Sequence, residues 1–586
     1  MAVEEHPESF VEVATREEID QSGPLTVRPN GTTIALFEHD GEIFATDSRC
    51  PHMGFPLTEG TIDDGILTCH WHHARFELSC GDTLDPFADD LQAYPVRVED
   101  GRVYVDPSPK RARNTPEHWI GRLEHGLQEN ISLVLAKACI ALDDLDVPYT
   151  EPVTRTTGFG VEYNAGGWGR GLTTLGVMAN LYPQLQAGDR PRALYVGIRE
   201  VAQTSAGEAP FFAQDPLSVD SVSETRLDRW FRDNIDVRDA DGAERVLRAA
   251  IRDERPPSTL VGMLVGAATD HLYLDTGHRL DFINKAVEVL DHIGWEHADT
   301  VLPSLVPGLA SASRAEESSS WRQPIDLAAL LFETDESLPP AAESARDGDW
   351  EPTNLDQEVL LGDDPHAIIE GVLAEVQAGA PAPALAETVA EAAASRVARF
   401  GTSNEFRDWN TVHHTYTYAN AVCGLADRTD SWVIYRAIFE AAVNVYLDRF
   451  LNMPPTPVPE GTATERAPEE LLTALRECFE VERDEEVNRA GQLVADYLAA
   501  GGAIDRLIEE LGAALVREDV GFHTRQNVEA AAAQARRVDA REDARIHLIA
   551  ATRYLAAHTP TRRSGEQTYR IADRLHRGER IHETGD

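Results

Sequence analysis

The sequence predicts a small antiparallel all-β domain followed by a large all-α domain. Three observations predict it. Within the first hundred residues, β-rich runs are separated by Asp40-Gly41, Asp64-Gly65 and Asp100-Gly101, dipeptides that suit two-residue hairpin turns. After Pro107 and Pro109 the alternation stops. From about residue 116, apolar residues recur three and four apart, as in Ile120, Leu123, Leu127, Ile131, Leu135 and Cys139.

Ile34-Ala35-Leu36-Phe37 and Ile43-Phe44-Ala45 flank the first turn, and Val96-Arg97-Val98 pairs naturally with Val103-Tyr104-Val105. Between these runs lie two loops. One carries Cys50-Pro51-His52 and is broken up by Gly54, Pro56 and Gly60; after sixteen intervening residues comes Cys69-His70-Trp71-His72. Thiolate is a soft ligand, and neutral imidazole adds no charge. Such a donor set suits a [2Fe–2S] centre with two thiolates on one iron and two imidazoles on the other, and it also suits zinc.

The run CPHMGFPLTEG, then CHWHHARFELSCG, then YPVRVEDGRVYVD resembles the Rieske ferredoxin-like domain throughout residues 8–106. The resemblance implies a [2Fe–2S] cluster held by Cys50, His52, Cys69 and His72, with His70 and His73 as ordinary loop histidines. Imidazoles in place of two thiolates make such a cluster less negative and easier to reduce. Respiratory Rieske proteins of high potential carry an extra cysteine in each ligand loop. Here His70 stands in the second loop and the first has none, so the likeness is to the lower-potential ferredoxin and oxygenase branch. Cys80, outside both loops, is expected to be a packed thiol.

Two Pro-rich or acidic stretches divide the remainder of the chain. The expected organisation is 1–108 for the iron–sulfur domain, 109–332 for a first helical region and 333–357 for a linker. A second helical region is expected at 358–452, a Pro-rich linker at 453–469 and a third helical region at 470–586. A spacing recurs in the helical part. His278 is followed by Asn284 and Asp291, and His414 at the same intervals by Asn420 and Asp427, with Trp295 and Trp432 nearby. Thr174 and Asn180 share the first interval, as do His523 and Glu529. Such recurrence suggests stacked helical hairpins. GGWGRG at 166–171 lacks the Lys-Ser/Thr of a phosphate loop and is expected to turn the chain into a helix spanning Leu172 to Leu181.

The candidate catalytic residues are histidine-centred: His271, Asp275, His278, His414 and His523. On one helix, His271, Asp275 and His278 would share a face, and two imidazoles with a carboxylate are what non-haem iron uses. Glu288 and His292 are spaced i, i+4, His413 adjoins His414, and His523 is expected to open a helix. If the repeats stack, His278, His414 and His523 converge on a common interior, which could hold a second metal and a small organic substrate.

By its all-helical texture, not by a single motif, the helical part resembles the questin oxidase-like proteins, which implies oxygen-dependent chemistry on aromatic compounds. The expected function is an oxidoreductase whose cluster passes single electrons to or from the histidine-rich domain. Electrons would come from a separate reductase or ferredoxin, since no nicotinamide or flavin fingerprint is visible. One alternative is a non-enzymatic electron carrier or redox-sensing helical scaffold. Another is a Rieske-type mononuclear-iron oxygenase using His292 and His297. That reading lacks an acid three residues before His292 and expects a strand-rich catalytic domain.

Acidic residues outnumber basic ones 100 to 53, giving a net charge of −47, and lysine occurs only at 110, 137 and 285. So negative a field disfavours nucleic acid and anionic membranes and is expected of a halophilic surface. No apolar run is long enough to span a bilayer, and MAVEEHPESF lacks the features of a signal peptide. A cytoplasmic protein is the expectation.

Overall fold

The computed structural model describes residues 9–108, 115–219, 222–335, 337–345, 350, 355–404, 406–462, 465–538 and 541–581. They form two units. One comprises residues 1–152 with 564–586, the other 153–563. The boundary expected at 108/109 adjoins residues outside the described set. The unit boundaries fall within the expected helical regions 109–332 and 470–586, and both expected linkers lie inside the second unit. The stretch 333–357, expected as linker, carries the helix Leu338–Ala345.

Among its described residues the first unit has ten short strands in three antiparallel sheets. β1 (Val11–Thr15), β10 (Arg102–Val105) and β9 (Val96–Glu99) form one sheet; β2 (Leu25–Val27), β3 (Ile34–His39), β4 (Glu42–Asp47) and β8 (Ala93–Tyr94) form the second. β5 (Thr61–Asp63), β6 (Ile66–Thr68) and β7 (Arg75–Glu77) form the third. All three Asp-Gly pairs make two-residue hairpin loops, closing His39↔Glu42, Asp63↔Ile66 and Glu99↔Arg102. In each pair both residues have positive φ, between 47° and 81°, as the twist of flanking strands requires.

β3 shows why this unit needs two cores. Its successive side chains point to opposite faces. Ile34 and Leu36 enter a cluster with Ile19, Tyr94, Val103 and Val105. Ala35 and Phe37 enter another with Leu57, Leu67, Phe76, Cys50 and Cys69. After the β part, which includes the short helix α1 (Arg16–Ser22), come helices α2 (Pro116–Gln128) and α3 (Ser132–Asp144), and the helix Ser564–His576 returns to pack on α3. Two buried cations tie helices to the β part. Arg122 pairs with Glu77, and Lys137 Nζ lies 2.7 and 2.8 Å from the carboxylate oxygens of Asp90.

Eight helices organise the second unit around its polar core: α4 (Arg170–Leu181), α5 (Arg190–Ser205), α6 (His278–Ile293), α7 (Ala382–Ala398), α8 (Phe406–Ala426), α9 (Ile434–Leu447), α10 (Phe522–Arg537) and α11 (Arg541–Ala557). α4, α6, α8 and α10 close into a ring: α6 packs on α4 and α8, and α10 on α8 and α4. α5, α9 and α11 back α4, α8 and α10 respectively. α4 begins where the glycine-rich stretch predicts, with Gly169 as its N-cap. No helix among the described residues is long and apolar enough to cross a membrane.

Candidate metal centres

Both cysteine loops of the first unit share one backbone plan. Cys50 N donates to Phe55 O at 2.8 Å while Gly54 N donates to Cys50 O at 2.8 Å. In the second loop, Cys69 N donates to Ala74 O and His73 N to Cys69 O, each at 2.9 Å. The residue four after each cysteine is left-handed, Gly54 at φ 77° and His73 at φ 61°. Glycine takes that conformation freely; a histidine does so at a cost of about 1–2 kcal/mol.

Cys50 and Cys69 are 3% and 1% exposed, with their sulfurs close enough to interact, and the amides of His52 and Met53 donate toward Cys50 Sγ. Burial, aided by the neighbouring Cys69, pushes the Cys50 thiol up to about 11. A thiolate there needs a cation beside it. The His52 and His72 rings lie 4.8 Å apart, edge to face, His52 half-buried and His72 exposed. Two paired soft donors in the core and two neutral donors at the rim fit a [2Fe–2S] group. An apolar collar surrounds the rim. Phe87 packs against His52 at 5.2 Å and Trp71 against His72 at 4.7 Å; Trp71 and Met53 are 51% and 57% exposed.

In the second unit, His278 opens α6, His414 lies midway along α8 and His523 sits at the start of α10. Their ligand atoms all lie within 4.8 Å of one another. His414 Nε2 and His523 Nε2 are 3.1 Å apart, and the His278 ring is centred 4.6 Å from that of His414 and 5.6 Å from that of His523. Burial first, and then mutual repulsion, depresses His278 to about 4 and His414 to about 2. Burial, with His558 behind it, depresses His523 to about 4. Three neutral imidazoles keep their lone pairs for a metal ion at neutral pH. Behind them, buried His413 accepts from Asn527 at 3.2 Å and packs its ring 5.0 Å from that of His523. A cavity of about 770 Å³ reaches the cluster through His414, walled by Tyr273, Trp321, Phe450, Thr415 and Asp448 among others.

Comparison with known proteins bears on the first unit. The family model described as the Rieske [2Fe-2S] domain matches residues 9–95. The ferredoxin component of naphthalene 1,2-dioxygenase/salicylate 5-hydroxylase systems from a Ralstonia species is 33% identical over 99 residues, 17% of this chain and 95% of that protein. The chain belongs to the Rieske [2Fe-2S] family. A second Rieske relative, the 3-phenylpropionate/cinnamic acid dioxygenase ferredoxin subunit of Photorhabdus laumondii, is 40% identical over 101 residues, 17% of this chain and 95% of that protein. The solved Sphingomonas yanoikuyae B1 ferredoxin is 28% identical with a TM-score of 0.15, covering 16% of this chain and 96% of its own. The N-terminal part is thus a Rieske electron-transfer domain, which implies a [2Fe–2S] cluster.

Outside the Rieske domain, the structure separates two of the expected site residues from the other three. His271 and Asp275 do not share a helical face with His278. The helix Pro257–Thr269 ends before them, and Tyr273, Asp275, Thr276 and Gly277 all have positive φ, which no right-handed helix admits. His271 instead joins Glu316 at 2.8 Å and Asp236 at 2.9 Å. Asp275 accepts from the Ser313 backbone and hydroxyl, both at 2.8 Å, and from Arg279. Their role is to shape the turn that delivers His278. His292 is held by Asn180 Oδ1 at 2.8 Å, and neither it nor His297 joins a metal-capable group among the described residues. Cys80 lies near Asp82 and His118, a third set of close donors, where Lys137 already stands 3.6 Å from Asp82.

The recurring six-residue interval has a structural meaning. Six residues advance a helix by about 9 Å. One layer of the ring holds His278, His414 and His523. The next holds Asn284, Asn420, Glu529 and Asn180. Lys285 Nζ sits in this second layer, 2.8 Å from Glu288 and 2.7 Å from Glu529, and Asn180 Nδ2 bonds both glutamates at 2.7 and 2.8 Å. Because both layers meet in the same order, α6, α8 and α10 run parallel. Sequence reasoning missed Asp281, Glu440 and Asp448, buried carboxyls that burial pushes up to about 7, 8 and 7. A lone acid within an apolar helical run gave no signal of its own.

Proposed function

We propose that this chain is an oxidoreductase that joins a Rieske electron carrier to a metal-dependent helical active site. Cys50, His52, Cys69 and His72 hold the [2Fe–2S] cluster, which supplies one-electron transfer. His278, His414 and His523 hold a second metal, iron by preference, which supplies redox chemistry to a molecule bound in the adjoining cavity. The observation that carries this reading is the meeting of three neutral imidazoles from three different helices, one of which, His414, lines a mostly apolar cavity. Fusion of donor and acceptor in one chain raises their effective concentration without requiring a strong contact.

The residues around each site have distinct work. The buried Cys50 and Cys69 would hold the cluster on the protein side, while the exposed collar of Met53, Trp71 and Phe87 offers an apolar surface to an electron donor. Relatives named as ferredoxin components of dioxygenase systems support a separate reductase as that donor. The cavity, lined by Tyr273, Trp321 and Phe450, suits a largely apolar organic substrate and is in keeping with the questin oxidase-like texture. The four cysteines outside the cluster site, none in a disulfide, fit a reducing cytoplasm, and the net charge of −47 fits a salt-adapted surface.

The test uses full-length protein in high salt. Wild type should hold iron beyond the cluster, and His278→Ala/His414→Ala should lose that extra metal while keeping the cluster's visible and EPR signals. Iron confined to the cluster, with no metal taken up by the helical unit on titration with Fe²⁺ or Zn²⁺, would favour a redox-sensing scaffold instead.

A further inference from the structure

We propose that Asp448 is the acid–base residue of the cavity, taking a proton from, and returning it to, a hydroxyl of the molecule bound beside His414. This rests on reading the cavity as the substrate site. Asp448 caps the C-terminal end of α9 and lines the cavity together with His414, Thr415 and Tyr273. It is 3% exposed, and its Oδ2 has no hydrogen-bond partner. A buried, unmatched carboxylate oxygen is costly in an inert core, so its retention at a cavity wall calls for a ligand.

The neighbouring elements supply no donor to that oxygen. From α8, the Thr415 hydroxyl hydrogen-bonds to Asp448 and also engages the Tyr273 phenol. From α7, the charge of Arg396 acts on the carboxyl, yet its guanidinium donates to Val445 O at 2.9 Å, Leu361 O at 3.0 Å and Asn452 Oδ1 at 3.4 Å; Arg449, the next residue, also lines the cavity. Burial, opposed by Thr415 and Arg396, brings the carboxyl to about 7, where it can both accept and release a proton. In the step, the substrate O–H bond breaks and an Oδ2–H bond forms. The single negative charge moves from Asp448 to the substrate oxygen. The reverse transfer restores both, so no co-reactant is consumed.

The probe is 4-nitrophenol, whose anion absorbs in the visible. Full-length protein treated with a chelator is mixed with it in high salt near neutral pH; occupancy is read by equilibrium dialysis and ionisation by difference absorption. Wild type should bind the probe and hold a large share as nitrophenolate. Asp448→Asn should bind comparably but lose most of the nitrophenolate band, at least severalfold. Equal bands in the two proteins would overturn the role of Asp448 and leave the cavity reading standing. Failure of wild type to bind the probe would overturn both. A second measurement needs no variant: probe binding to wild type should raise the infrared band of a protonated carboxyl, and an unchanged band would also overturn the proposal.

Discussion

The two candidate metal centres are built in opposite ways. The Rieske site gathers its donors from two hairpin loops, each placing a cysteine and a histidine within four residues of one another. The helical site takes one histidine from each of three helices, and His278 and His523 are 245 positions apart. Loops of the first kind carry their geometry locally, in a left-handed residue and two backbone hydrogen bonds. The helical site has no local geometry; it depends on the packing of a whole ring. The first should therefore fail one ligand at a time, whereas the second should also be sensitive to the polar layer beneath it.

The largest expected effect is at the cluster. Cys69→Ser should abolish it, with loss of both cluster irons and of the visible and EPR signals, and should leave metal in the helical site unchanged. Joint loss of both metals would break the independence of the two centres. Next, His414→Ala should weaken metal binding in the helical site by more than about 100-fold, beyond what loss of a supporting partner costs. Metal titration with cluster absorbance as the internal control checks it.

The polar layer comes third. Lys285 is 1% exposed between Glu288 and Glu529, so Lys285→Met leaves two buried carboxylates uncompensated and should destabilise the second unit by about 3–5 kcal/mol. Denaturant unfolding in high salt measures it, and a change below about 1 kcal/mol would show the layer to be dispensable. A smaller, pH-dependent effect belongs to Glu440. Burial raises its carboxyl from the ordinary 4.5 to about 8, against the donors Tyr418 and the Tyr273 backbone. The folded state thus favours the protonated form. That stabilisation is complete below about 4.5 and is lost as pH rises through about 8. Glu440→Gln should flatten the stability profile across that window; a profile that stays sloped to the same degree would assign the slope elsewhere. The smallest effect is expected from Trp71→Ala, which should slow reduction by a partner reductase a few-fold with cluster content unchanged.

Much of the first unit was legible because its signals are local. The Asp-Gly pairs specify two-residue turns, and β3 alternates between two cores because side chains on a strand alternate. The helical unit was legible only as texture and as an interval. The six-residue echo marked His278, His414 and His523, but the same style of reasoning wrongly put His271 and Asp275 on one face with His278. Four left-handed residues between positions 273 and 277 cannot be read from helical spacing.

The sequence by itself determined the ligand chemistry: two Cys/His pairs in turn-forming loops, and histidines at a repeated helical interval. Tertiary structure alone decided which histidines meet, that Lys285 sits between two glutamates, and that Asp448 lines a cavity and carries an unmatched oxygen. The physical reason is range. A turn is settled by φ and ψ over a few residues, whereas a site between helices is settled by which faces pack together, and one chain's spacing does not say which helix will be its neighbour.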